Sequence, residues 1–219
     1  PQPEPLPPPP AAGRALLDGA PIPARAPGTP PRLLDLDKVY VVAPDSTRNS
    51  SKSQRPFLRP DPGGVQHLLD SDYDIRGIAE AGTAGLGACI ATPDGMPVAA
   101  IRALVLPTVP VATTSEHAVA DLVFRYRDGG MASVPLRTTR EVQGFGGNDQ
   151  DVPQVFPVSV MRAALGLGAN TLAAPRLANP DPGRAVACVD LRSRGGTMLV
   201  LALTAEAAAG TVTSTADSR

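Results

Sequence analysis

Hydrophobic and polar residues alternate along two neighbouring segments, residues 119–127 and 131–138. Leu122 and Phe124 lie between charged residues in the first segment, and Asp128-Gly129 separates it from the second. Alternation with a period of two is typical of a half-buried strand, and Asp-Gly is a favoured hairpin turn. The pattern therefore predicts an antiparallel β-hairpin at this point.

A second pair of apolar segments, residues 185–191 and 197–204, is joined by a glycine-containing link. Both segments are hydrophobic on both faces, which is typical of central strands covered on each side. The sequence predicts a second hairpin here, with its outer face covered by another part of the chain or by a partner.

Short apolar runs separated by Gly, Pro, Asn and Asp continue through most of the chain. They predict further strands at residues 37–42, 72–79, 86–91, 99–106 and 154–162, and isolated helical turns at residues 163–167 and 206–209. About eight to ten short strands with frequent turn residues favour an all-β sandwich or barrel.

The N-terminal segment differs from the rest because residues 1–31 contain twelve prolines. Proline fixes φ and removes a backbone donor, so we expect extended chain rather than helix or sheet. The predicted organisation is an arm at 1–32, a sandwich at 33–208 and a polar tail at 209–219. The arm either folds back on its own domain or binds a partner, for which the candidate contacts are Pro5, Leu6, Pro8, Leu16, Leu17 and Ile22.

Charge and composition exclude several classes of function. The chain has 20 basic and 21 acidic residues, so no net field attracts nucleic acid. Its longest apolar run is far shorter than the roughly 18 residues that span a bilayer. Cys89 and Cys188 each lie in a predicted strand, which permits a disulfide, but we expect two buried free thiols.

Four segments carry a resemblance to a known family: "LDLDKVY" (34–40), "GGVQHLLDSDYDIRG" (63–77), "FRYRDGGMASVPLR" (124–137) and "LANPDPGRAVACVDLRS" (177–193). In order and type they are similar to the galactose-binding-domain-like jelly rolls of bacterial secreted and envelope proteins. The resemblance implies a jelly-roll-like antiparallel β-sandwich behind the proline-rich arm. It also implies an extracytoplasmic location, in the periplasm or cell envelope, and a removed export signal would fit a chain that begins with Pro1.

Sequence motifs for catalysis or cofactor binding are missing. His67 and His117 are the only histidines, and the chain lacks the Gly-x-Ser-x-Gly, dinucleotide and phosphate-loop patterns. Acidic residues cluster at 70–74 and 148–151, where solvated turn residues are favoured over a calcium site. We therefore expect no enzymatic activity, no cofactor and no metal.

Two functions remain after these exclusions. The favoured one is a structural or interaction subunit of a larger protein assembly, including assemblies at a membrane surface, with Arg125 and Arg127 on the contacting sheet face. The alternative is a carbohydrate-binding module. Because the chain has no Trp, Phe145 is its aromatic candidate in the loop after the first hairpin, and the other candidate contacts are Arg48, Gln66, Asn148 and Asp149.

Overall fold

A computed structural model describes residues 22–42, 64–107, 116–138, 140–142 and 173–208. Within these ranges every regular element is a β-strand, so no described segment is a helix able to cross a membrane. The strands are β1 (Tyr40–Val42), β2 (Gly64–Leu68), β3 (Ser71–Ile75), β4 (Ile78–Ala81), β5 (Ile90–Ala91), β6 (Val98–Pro107), β7 (Ala118–Tyr126), β8 (Met131–Arg137), β9 (Arg176–Ala178), β10 (Val186–Ser193) and β11 (Met198–Ala207).

Two sheets form a sandwich, one with strand order β1-β4-β11-β6-β9 and the other with order β5-β10-β7-β8. Strand β4 pairs with β11, β5 with β10, β6 with β9 and β7 with β8, all antiparallel. The first four of these strands, in chain order, thus pair with the last four in reverse order. Together they form one long antiparallel ribbon that is folded into two sheets. This is the jelly-roll arrangement, and it confirms the all-β sandwich predicted from the sequence.

The main core lies between the two sheets. The four-stranded sheet contributes Leu122, Phe124 and Leu191, and the five-stranded sheet contributes Ile101 and Val200. Each of these side chains is fully buried. The inward residues of β7 are those that the alternating pattern marks as hydrophobic, so the sequence pattern and the packing agree.

A smaller hairpin, β2 paired with β3, covers part of the outer face of the five-stranded sheet. Tyr73 and Ile75 from this hairpin pack against Leu199 and Leu201 of β11. Residues on both faces of β11 are therefore buried, as its two-sided hydrophobic pattern predicts. The cover is a part of the chain itself, and β2 is a strand that the sequence analysis did not predict.

Several predicted elements differ from the structure. Strands β10 and β11 do not form a hairpin, because β10 pairs with β5 and β7 while β11 pairs with β4 and β6. The link between β10 and β11 crosses from one sheet to the other. Apolar runs alone do not indicate which strands will pair. The helical turn predicted at residues 206–209 is also wrong at its start, where Glu206 and Ala207 continue β11. The elements predicted at 154–162 and 163–167 lie outside the described residues.

The described end of the arm lies against the sandwich. We define the arm root as residues 22–34. The Leu34 N–H donates to Leu203 O at 2.9 Å, and the Ala205 N–H donates to Arg32 O at 2.8 Å. These bonds continue along the edge of β11 where its pairing with β4 ends at Val200. The arm root is therefore an added, strand-like edge of the five-stranded sheet.

A buried ionic cluster joins the arm root to the sandwich. The fully buried guanidinium of Arg76 pairs with Asp35 at 2.8 Å, Asp74 at 3.0 Å and also with Asp37. Arg25 of the arm root lies 3.6 Å from the Asp74 carboxylate and also donates to Leu33 O. Because buried charges are stable only when paired and hydrogen-bonded, this cluster fixes the junction.

Candidate binding surfaces

A polar hollow lies where the β2–β3 hairpin ends over the five-stranded sheet. We call it the hairpin pocket; it has a volume of about 480 Å³ and opens to solvent. Its size falls in the range of ordinary small-molecule sites. It is lined by Arg32, His67, Asp70, Ser71, Asp72, Met96, Arg102, Thr204, Ala205, Glu206 and Ala207.

Arg102 is the central cation of the hairpin pocket. Its guanidinium holds both carboxylate oxygens of Asp70, at 2.7 and 3.0 Å, and also pairs with Glu206. Arg176 contacts the other Glu206 oxygen at 2.6 Å. Burial by itself would raise the pKa of Glu206, but the hydrogen bonds from Arg102 and Arg176 hold that pKa below its usual value.

A second set of charges lines the opposite wall of the hairpin pocket. The Asp72 carboxylate contacts His67 Nδ1 at 2.8 Å and the Arg32 guanidinium at 2.7 Å, and these hydrogen bonds lower its pKa. The Thr204 hydroxyl donates to Asp72 O at 2.7 Å. Donors and acceptors thus alternate around the hollow.

Catalytic geometry is not assembled from the described residues of the hairpin pocket. His67 stands opposite Asp72 in the hairpin register, whereas Ser71 stands opposite Leu68. Neighbouring residues of a strand point to opposite faces, so Ser71 and His67 are on different sides of the hairpin. No hydrogen bond joins these two side chains in the described structure, so a nucleophile and its base do not meet.

Carboxylates of the acidic run at residues 70–74 are engaged by cations. Asp70 pairs with Arg102, Asp72 with Arg32 and Asp74 with Arg76. Among the described residues, no group of three or more metal-binding side chains occurs. The prediction of solvated turn residues fits the exposed Asp70, but it is wrong for Asp74, which is buried on strand β3.

The outer face of the four-stranded sheet is a second candidate surface. We call it the open sheet face and define it by the outward residues of its three longer strands. No described strand packs against it, although the link between β4 and β5 covers Asp190, whose carboxylate accepts a hydrogen bond from the Leu86 N–H at 3.0 Å. It consists of Asp121, Val123 and Arg125 on β7, Met131, Ser133 and Pro135 on β8, and Cys188, Asp190 and Arg192 on β10.

Most arginines around the open sheet face are paired with acids. Arg127, predicted as a partner contact, pairs with Asp94. Arg192 pairs with Asp190 at 3.0 Å, and Arg194 pairs with Asp121 at 2.6 Å. Of the two predicted arginine contacts, Arg127 is therefore neutralised within the domain. Arg125, the other predicted contact, behaves differently and is described below.

A disulfide joins Cys89 to Cys188, with 5.5 Å between the Cα atoms. The prediction of two buried free thiols is therefore wrong. Cys89 is exposed and Cys188 is half-buried, so the bridge lies at the surface, beside the two-residue strand β5. Disulfides persist in oxidising compartments, and this one weakly indicates a location outside the cytoplasm.

The other predicted contacts are in different places. Ile22 is half-buried and packs against the domain's own core, so its side chain is occupied within the chain. Gln66 lies on β2 opposite the buried Tyr73, on the hairpin face that turns toward the sheet. The remaining candidates lie outside the described residues: Pro5, Leu6, Pro8, Leu16, Leu17, Arg48, Phe145, Asn148 and Asp149.

Sequence reasoning singled out His67 and the acidic run at residues 70–74, but it missed Arg32, Arg102 and Glu206, which complete the hairpin pocket. Arg102, Asp70 and Glu206 are far apart in sequence and meet because the β2–β3 turn lies over neighbouring residues of β6 and β11. Comparison with known proteins adds no further assignment, since neither a protein-family model nor a curated protein matches this chain.

Proposed function

We propose that this chain is a non-enzymatic interaction subunit of a larger extracytoplasmic protein assembly. In this proposal the proline-rich arm lies along a neighbouring protein, and the sandwich supplies a second contact. The resemblance to galactose-binding-domain-like jelly rolls and the surface disulfide favour a periplasmic or cell-envelope location.

The observation that carries the proposal is the anchored arm root. Arg25 contacts Asp74, Pro30 O and Leu33 O, and Arg76 donates to Pro23 O at 3.4 Å. A free tether would need no such attachment. An anchored root fixes where the extended arm leaves the domain, which lowers the entropic cost of docking it on a partner.

Co-purification with two separate variants tests this function. The full chain is expressed in its source cells and compared with a chain lacking residues 1–21, which keeps the whole arm root. Loss of the associated proteins on truncation is expected. Undiminished association of the truncated, folded chain would contradict the proposal.

A second variant, Arg25→Gln, tests the anchor rather than the arm. It leaves the proline-rich segment intact but removes its charge contacts with Asp35 and Asp74. We expect weaker association at an unchanged melting temperature of the sandwich. Association equal to that of the unmodified chain would mean that the arm acts as a simple tether.

Carbohydrate binding is the second candidate function, and the hairpin pocket favours it. Sugar hydroxyls both donate and accept, and the pocket alternates guanidinium donors with carboxylate acceptors in a hollow of about 480 Å³. Binding on a glycan array, with and without calcium, that decreases in His67→Ala would support this function. His67 is an exposed side chain, so its removal leaves the fold intact. A blank array would contradict it.

A further inference from the structure

Arg125 lies on the open sheet face, in the row of residues nearest the β7–β8 turn. In the strand register it stands between Cys188 of β10 and Met131 of β8. Its side chain is half-buried, and the contact that its guanidinium makes is with the Met131 sulfur at 3.4 Å. A thioether is a weak acceptor, so this contact does not replace a carboxylate.

The described charges around Arg125 do not pair with it. Arg127, Arg192 and Arg194 each pair with an aspartate, but no described carboxylate pairs with Arg125. Among the described residues, this end of the open sheet face therefore carries one positive charge without a paired carboxylate. A single positive charge does not provide the several cations that bind a run of phosphates.

Apolar groups surround this charge. Met131 is 62% exposed, which makes it the most exposed large hydrophobic side chain among the described residues. The exposed Cys89–Cys188 bridge lies on the other side of Arg125, and Val123 precedes it on the same face. Arginine and methionine enclosed by apolar surface are typical of the centre of a protein interface.

We propose that the open sheet face docks a protein segment that presents a carboxylate flanked by apolar side chains, with the carboxylate paired to Arg125. The inference deepens the proposed function and rests on it. Covering Arg125 without an acidic partner would bury an unpaired charge, so the partner supplies the carboxylate. On the other sheet, part of the corresponding outer face is covered by β2 and β3 of the same chain.

The test is site-specific photo-crosslinking of the full chain in its source cells. A photoreactive residue replaces Ser133, which is exposed and lies on the open sheet face beside Arg125. We expect an adduct whose partner peptide, identified by mass spectrometry, contains Asp or Glu. Arg125→Gln should reduce the adduct yield about tenfold, which corresponds to a loss of about 1.4 kcal/mol in the free energy of binding.

Arg127→Gln is the matched control, because Arg127 follows on the same strand face but is already paired with Asp94. The adduct yield of this variant should stay within about twofold of that of the unmodified chain. The reason is that an exposed arginine already paired within its own domain contributes little to binding. Reversing the charges, with Arg125→Glu against Lys at the partner's acidic position, should restore the adduct. Equal adduct yields in Arg125→Gln and the unmodified chain would overturn the inference.

A second photoreactive residue in the arm, replacing Leu16, separates this inference from the proposed function. Adducts from the arm without adducts from position 133 would refute docking at the open sheet face and leave the interaction subunit standing. Absence of adducts from both positions would refute the proposed function as well.

Discussion

Arg76 and Gly77 are fully buried neighbours at the junction between the arm root and the sandwich. They form the end of the "DYDIRG" segment, which the sequence analysis used only as a mark of family resemblance. In the structure each has a physical role. Arg76 gathers three aspartates, and Gly77 allows the Tyr40 ring to approach the backbone closely.

Gly77→Ala should destabilise the domain. A Cβ atom at this position would lie 2.6 Å from two ring atoms of Tyr40, a side chain with 1% exposure that has no room to move. We expect a loss of about 1–3 kcal/mol in the free energy of unfolding, measured by urea denaturation. Gly82→Ala, where an added Cβ meets nothing within 4 Å, is the control and should be close to neutral. Equal stabilities of the two variants would contradict the close approach.

Arg76→Met should lower the free energy of unfolding more than the substitution of any exposed arginine does. Removal of the guanidinium leaves the buried Asp74 carboxylate with only the more distant Arg25. Breaking a buried pair in this way costs about 3–5 kcal/mol, observable as a lower urea midpoint. Arg194→Gln, which removes an exposed pair with Asp121, should change the midpoint far less. A small effect of Arg76→Met would mean that the cluster does not fix the junction.

Acid should destabilise the domain. Burial alone would raise the pKa of Asp35 and of Glu206, but hydrogen bonds hold both below their ordinary values of 3.8 and 4.5. The unfolded chain therefore binds protons first, and the stabilisation is present above about pH 4.5 and lost as the pH falls through the folded pKa values. Burial raises the pKa of Asp37, whose opposite contribution partly offsets this loss.

Glu206→Gln checks the sign of this pH dependence. The variant lacks one of the carboxyl groups whose pKa is lowered by folding, so its urea midpoint should fall less steeply between pH 5 and pH 3 than that of the unmodified chain. Parallel curves for the two proteins would contradict the assigned role of the Arg102 and Arg176 contacts.

At the scale of elements, the hairpin of β7 and β8 could be predicted because all its information is local. Alternation and the Asp-Gly turn fix both strands to within a residue at each end. The pairing of β10 and β11 could not be predicted, since each takes its neighbours from distant parts of the chain. The hairpin pocket was missed for the same reason: Asp70, Arg102 and Glu206 meet only after the sheets are formed.

The disulfide should stabilise the edge of the four-stranded sheet. It closes a loop with a sequence separation of 99 residues and holds β5, which pairs with β10 through two residues. Replacing both cysteines by alanine should lower the free energy of unfolding by about 2–5 kcal/mol in denaturant titration. Dithiothreitol should destabilise the unmodified chain equally and leave the double variant unchanged. A stability unaffected by either treatment would contradict this role.

At the scale of the whole molecule, the sequence predicted the architecture better than the binding surfaces. Proline content separated the arm from the sandwich, but it could not indicate that Ile22 and Arg25 return to the domain. The nearly equal numbers of basic and acidic residues predicted a surface without a strong net positive or negative electrostatic potential. The described arginines accordingly lie beside aspartates and glutamates. Arg125 is the exception, and a composition summary cannot identify a single unpaired residue.

Hydrogen–deuterium exchange of the chain, alone and within the assembly isolated from its source cells, tests the central claim most directly. The account predicts that assembly slows exchange in the arm before the arm root and along β7 and β8, while the hairpin of β2 and β3 exchanges as in the free chain. Protection confined to the hairpin pocket, or no protection in the arm, would contradict it.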